Sequence, residues 1–220
     1  MNRKVRLMLE NVLDVFSEEF KDKTIAWDRM LEFLATDSRG SMFYKFDHKF
    51  EWFFENIEFA NSVIRVYDHM LLTSDYYDHL GEIYTDRVAP EDSARGLKAR
   101  IVKSDLADSI VSKSMPATED RKKILFPYCA TGRLILAAHR RAPNALLFGV
   151  EPDINLYRIA YTNLTIHGIY AFLLHADPKR HQLQLSRADG KLNWQLANNW
   201  NPQMDSMRPI SKKIPINSPN

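Results

Sequence analysis

One cysteine, Cys129, stands in a chain of 220 residues, so no internal disulfide framework holds this sequence together. Its seven histidines show no paired Cys/His spacing, and no metal site is expected. Long apolar runs are also missing: nothing approaches the roughly 20 residues that a membrane-crossing helix needs. The opening "MNRKVRLMLENVLDVF" turns acidic and periodic where a signal peptide would stay apolar. Together these absences predict a soluble, cytoplasmic protein. Acidic residues are scarce in one half only. Residues 121–220 carry 14 Lys and Arg against 5 Asp and Glu, whereas residues 1–120 carry 16 against 23. A basic half of this kind faces phosphates, an anionic cofactor or its own acidic N-terminal half, and composition does not separate the three.

What is present suffices for a real core, since 45% of the residues are hydrophobic. From Val5 to Phe20 the apolar residues recur every three or four positions, which predicts an amphipathic helix. A second helix carries Trp27, Leu31 and Leu34 and ends near the turn signal "DSRG". The aromatic segment "MFYKFDHKFEWFFENIEFANSVIRVYDHMLL" predicts one long helix with Phe46, Phe50, Phe53, Ile57, Ala60, Ile64 and Tyr67 as its inner stripe. Its acidic flanks favour helix-to-helix core over a base-stacking surface. A further helix follows Pro90, with Leu97, Ile101, Leu106 and Ile110 expected to face inward.

At Lys122 the period changes. "KKILFPYC", "NALLFGVEP" and "IYAFLLHAD" are short apolar runs separated by the helical "GRLILAAHRRAP" and "DINLYRIAYTNLTIHG". Strand, helix, strand, helix, strand predicts a parallel sheet with ligands beyond the carboxyl ends of its strands. Beyond Pro178 a hairpin about Ala188-Asp189-Gly190 is expected, and after it an irregular tail. The fold class is therefore α/β: a helical N-terminal domain (1–80), a partial Rossmann-like sheet domain (81–200) and a tail (201–220).

Candidate chemistry gathers at the strand ends. The turn Cys129-Ala130-Thr131-Gly132 follows the first strand, where small residues let a ligand approach backbone N–H groups. Glu151 closes the second strand, placed to accept both hydroxyls of a ribose, and Asp177 follows the third, placed to accept from an adenine amino group. A turn and two acids in this order describe an adenosine site. Nicotinamide dinucleotides would want G-x-G-x-x-G, which "CATGRL" lacks, so the pattern favours S-adenosylmethionine.

Several motifs agree in order over roughly residues 75–180. "GEIYTDR" (Gly81 to Arg87) precedes a helix and then "FPYCATG" (Phe126 to Gly132), "GVEPDINLYRIAYTNLTIHGI" and "HAD". In this the chain resembles the N6-adenine DNA methyltransferases represented by the modification subunits of restriction systems. The resemblance implies that Tyr84 and Thr85 help to hold the methionine end of S-adenosylmethionine, that Cys129 to Gly132 wrap it, and that Glu151 and Asp177 take its ribose and adenine. Two residues depart from the family's pattern: Phe126 stands where the loop's leading acid is expected, and Ala130 where a glycine is. The family's Asn-Pro-Pro-aromatic motif is not found; the nearest sequence, Asn201-Pro202-Gln203-Met204, has no aromatic after it. No catalytic residue is assigned. Cys129 reads as a small buried residue and not as a nucleophile, His139 with Arg140 and Arg141 as cations that complement a helix end, and His167 and His175 show no acid partner in sequence. The expectation is a methyltransferase-like chain, incomplete alone, with DNA as a candidate substrate and a second protein chain as the source of the catalytic and target-recognition parts. The alternative is a non-catalytic adapter that recruits a protein or nucleic-acid partner.

Overall fold

The computed structural model describes residues 2–38, 51–115, 122–178, 185–188 and 191–194. Helix α1 (Arg3–Phe20) buries Val5, Met8, Leu9, Val12, Leu13 and Phe16, the stripe its spacing dictates. Asn2 caps it by accepting the Lys4 N–H at 3.0 Å. Helix α2 (Lys23–Ser38) answers with Trp27, Met30, Leu31, Phe33 and Leu34, all at most 2% exposed. At an order of about 2 kcal/mol per fully buried large side chain, this pair contributes substantially to the stability of the helical half.

The aromatic segment does not form one long helix. Its described part breaks into α3 (Trp52–Glu55), α4 (Ile57–Val66) and α5 (His69–Thr73). The breaks fall where a side chain competes for backbone donors. Asn56 accepts the N–H groups of Glu58 and Phe59, and Asp68 accepts that of Leu71, so each starts a new helix in place of continuing the old one. Each break also resets the phase of the stripe. Ile57 and Ile64, expected inside, are 61% and 54% exposed, while Phe59, Ala60 and Val63 are buried. Phe46 and Phe50 lie outside the described residues. Phe53 and Phe59 join Phe16, Phe20, Phe33 and Trp52 in a cluster of mostly edge-on rings, helix-to-helix core as expected.

Helix α6 (His79–Ile83) runs into a π-helical turn, Tyr84–Val88, closed by the Ala89 N–H on the Tyr84 carbonyl at 2.8 Å. The next stretch again forms two helices where one was expected, α7 (Glu91–Arg100) and α8 (Ser104–Ser114). Leu97 and Ile101 face inward as their spacing predicts. The extended backbone at Ile101 and Lys103 then restarts the period, so Leu106 and Ile110 are 51% and 37% exposed, and Ala107 and Val111 take the inner positions.

The sheet matches its sequence pattern. Strands β1 (Lys123–Phe126), β2 (Leu146–Glu151) and β3 (Ala171–His175) are parallel in the order β1-β2-β3, joined by α9 (Arg133–Arg141) and α10 (Ile154–Ile166). Gly149 in β2 is required by close packing: a Cβ there would lie 2.5 Å from Leu173 Cδ2, 2.9 Å from Ile135 Cδ1 and 3.0 Å from the Cys129 sulfur. Helix α10 belongs to two cores. Leu156, Ile159 and Ile166 pack with the helical N-terminal residues, whereas Ala160 and Leu164 pack with the core that contains Leu147 and Ile135. Contacts accordingly join Met1–Pro178 into one compact unit. Lys179–Asn220 form a second, in which the described elements are β4 (Leu185–Ala188) and β5 (Lys191–Trp194), an antiparallel pair with Ala188 opposite Lys191. The tail and Asn201-Pro202 lie outside the described residues. Among those described, no helix is long and apolar enough to cross a membrane.

Candidate functional site

The carboxyl ends of the parallel strands carry the candidate residues. After β1 the chain turns sharply: the Cys129 N–H donates to the Val150 carbonyl at 3.0 Å and the Gly132 N–H to the Cys129 carbonyl at 2.8 Å. Two residues of this turn have positive φ, Ala130 at 47° and Gly132 at 84°. Glycine adopts that conformation freely, whereas alanine is strained by roughly 1–2 kcal/mol. Ala130 is held there by its own N–H, which donates to Glu151 Oε2 at 2.9 Å. The acid at the end of β2 and the loop after β1 thus meet directly.

Glu151 is fully buried, and both its oxygens are engaged. Oε1 accepts the Arg100 guanidinium at 2.7 Å and the Asp153 N–H at 3.0 Å. Arg100 reaches in from the last turn of α7 with a half-exposed side chain. Its other terminal nitrogen lies 3.4 Å from Asp153 Oδ2. Tyr84 is also on this side: it is buried, its ring centre is 5.6 Å from that of Trp27, and burial together with the charge on nearby Asp153 raises its hydroxyl pKa. Thr85 turns the other way, its hydroxyl donating to the carbonyls of Gly81 at 3.1 Å and Glu82 at 2.9 Å within its own helical turn. Asp177 lies half-buried two residues beyond β3, at the same end of the sheet as the loop and Glu151.

Sequence reasoning missed the group that fixes the loop from beneath. Asp78 is 1% exposed, and its carboxylate takes the Thr131 hydroxyl, the Gly81 N–H at 2.8 Å, the Asn163 amide at 2.7 Å and Arg133 Nε at 3.2 Å. Asn163 also donates to the Thr131 carbonyl at 2.9 Å, and Arg133 to the Val102 carbonyl at 2.8 Å. Four buried polar residues, from the cap of α6, the loop, α9 and α10, are thus satisfied together, which makes the network rigid. Gly81 permits it, because a Cβ there would lie 2.5 Å from Asp78 Oδ2 and 2.8 Å from Thr131 Cγ2. Phe126, in place of the expected acid, packs against the sheet core. The loop is therefore anchored by an acid 53 positions upstream of Thr131.

The remaining chemical candidates are structural. Burial, with Glu151 nearby, pushes the Cys129 thiol far above its ordinary pKa, which suits a packed side chain and not a thiolate nucleophile. His139 closes α9 beside Arg140 and Arg141, at the helix end that favours cations, and its Nδ1 lies 2.5 Å from the Tyr76 hydroxyl. His167 is packed 4.6 Å from the Tyr76 ring, and burial lowers its pKa to about 4. His175 Nε2 lies 3.0 Å from the Pro152 carbonyl oxygen.

No family model matches the sequence, and neither does any curated protein. Among solved structures the chain is similar to a candidate class I S-adenosylmethionine-dependent methyltransferase from Listeria monocytogenes, with a TM-score of 0.53 and 12% identity. The match covers 80% of this chain and 53% of that one, so the chain spans about half the length of its structural relative. At this level the likeness is one of fold alone: this is an α/β chain whose three-stranded parallel sheet and helices match part of that structure.

Proposed function

We propose that this chain is a methyltransferase-like protein that takes S-adenosylmethionine across the carboxyl ends of β1, β2 and β3. One observation carries the reading: the Glu151 carboxylate accepts the Ala130 N–H, which ties the acid of β2 to the positive-φ loop of β1. The residues fit an adenosine group in kind. The loop is short in side chains, Glu151 is an acceptor with a further lone pair on Oε2, and Asp177 stands at the next strand end. When bound, the cofactor supplies an electrophilic methyl group. The chain's own residues would seat it: Glu151 accepts the ribose hydroxyls, Asp177 the adenine amino group, and Tyr84, on the Asp153 side, bounds the site without entering the loop.

The finer reading is an adenine-N6 methyltransferase acting on DNA. It rests on the ordered motifs from Gly81 to Asp177, and it requires the missing catalytic and target-recognition parts to come from a second chain. Glu151 also supports the alternative, a non-catalytic adapter, because each of its oxygens is already satisfied inside the protein.

Calorimetric titration of S-adenosylmethionine into the protein and into Glu151→Gln decides between them. Binding lost in a folded Glu151→Gln supports the cofactor site. No heat at high micromolar cofactor rejects it in favour of the adapter. For DNA, the expected signature is an affinity that falls steeply with salt, and its absence removes the nucleic-acid part.

A further inference from the structure

We infer that Arg100 is a displaceable latch on the ribose-accepting carboxylate, an inference that rests on the cofactor reading above. Arg100 Nη2 sits 2.7 Å from Glu151 Oε1, while Ala130 occupies only Oε2. The two contacts differ in what they would tolerate. The Ala130 N–H is part of the loop and stays, because Oε2 keeps a second lone pair. The Asp153 N–H already fills one lone pair of Oε1 at 3.0 Å and the guanidinium takes the other, so a ribose hydroxyl that reaches Oε1 competes with Arg100.

Arg100 is built to leave. Its side chain is 44% exposed, so on release it enters water and loses little solvation, whereas Glu151 is 0% exposed and stays in place. The arginine ends α7, of which Leu97 is the buried side chain among those described, and Gly96 in the same helix has nothing within 4 Å of a would-be Cβ. Immediately after it Ile101 is buried, and the Val102 carbonyl is held by Arg133 at 2.8 Å. The latch therefore swings about a fixed base. Asp153 takes the second guanidinium nitrogen at 3.4 Å, and it offers Arg100 a partner after Glu151 has been given up. Ribose binding then exchanges one charged donor for two neutral ones on a buried carboxylate, and the cofactor's apparent affinity is its intrinsic affinity multiplied by the fraction of molecules that are unlatched.

The test is calorimetry with S-adenosylhomocysteine, which carries no net charge, on the wild-type chain, Arg100→Gln and Arg100→Lys, each at about 0.05 M and about 0.5 M salt. Arg100→Gln is expected to bind about twofold to fivefold tighter than wild type at low salt, the scale of a half-exposed ion pair. Arg100→Lys is expected to fall between them. Wild-type affinity is expected to rise with salt as the pair is screened, and that of Arg100→Gln to stay flat. Equal, salt-independent binding by wild type and Arg100→Gln overturns the latch and leaves the cofactor site standing. Weaker binding by Arg100→Gln also overturns it, and makes Arg100 part of the binding surface. Binding by none of the proteins overturns the cofactor reading and the latch together. If Arg100→Gln fails to fold, the wild-type salt series decides alone, and affinity that is flat or falls with salt overturns the proposal.

Discussion

At the scale of single residues, Ala130 and Asp78 show how this loop departs from a glycine-rich one. With φ at 47°, Ala130 carries left-handed strain of roughly 1–2 kcal/mol, whereas glycine at the same position would cost the unfolded chain's extra freedom, roughly 0.4–1 kcal/mol. The first term is larger. Ala130→Gly is therefore expected to stabilise the protein by about 0.5–1 kcal/mol, read as a higher urea midpoint with an unchanged slope; a lower midpoint would show that the alanine methyl contributes packing that outweighs its strain. Asp78 works in the opposite sense. It is the nearer counter-charge of Arg133, with Glu82 the farther one at 3.6 Å, so Asp78→Asn should leave that buried guanidinium only partly compensated and cost about 3–5 kcal/mol in denaturant unfolding. A loss under about 1 kcal/mol would mean that Thr131, Gly81 and Asn163 hold the loop without the charge.

At the scale of elements, period was legible in the sequence and phase was not. The parallel strands, their helices and the loop with Glu151 beside it follow from hydrophobic alternation, because each crossover is short and begins with a turn residue. The breaks at Asn56, Asp68 and Ile101 do not follow from apolar spacing at all. Each depends on which polar side chain captures a backbone N–H, or on where the backbone extends, and one such event moves a whole stripe from inside to outside. Asn56 carries two of these bonds, to the Glu58 and Phe59 N–H groups at 3.2 and 3.1 Å. Asn56→Ala should cost about 1 kcal/mol, measured by thermal melting, and Asn56→Asp should recover most of it. If the alanine variant melted with the wild type, the break would owe its existence to tertiary packing and not to the cap. The Asp78 network was illegible for a different reason. Its members are separated by tens of residues, and the only local sign was Asp78 three positions before Gly81, which reads as an ordinary helix cap.

At the scale of the whole molecule, part of the charge asymmetry of the sequence is met within the protein. Arg133, Arg140 and Arg158, from the basic half, pair with Asp78, Asp108 and Asp28 of the acidic half, so of the three destinations open to a basic C-terminal half, its own N-terminal half receives these cations. Such pairs tie α9 and α10 to α2, α8 and the start of α6, and they give acid a route to loosen the fold. A second route is more specific. His79, His139 and His167 all have pKa values lowered by burial, with His167 brought to about 4, while an unfolded histidine titrates near 6.5. Between those two values the unfolded chain binds protons that the folded chain excludes, so stability rises with pH across the window and is lost as pH falls from about 6.5 towards about 4. For His167 alone the shift corresponds to about 3 kcal/mol, fully present above pH 6.5 and gone once pH drops below its folded value. Urea unfolding between pH 7 and pH 4 is expected to show this decline above the range where carboxylates such as Asp75 and Asp86, whose partners lower their pKa, begin to protonate. Replacing His167 by Gln should flatten the decline, whatever it does to stability at pH 7. An undiminished slope in that variant would assign the acid sensitivity to His79, His139 or the ion pairs between the two halves.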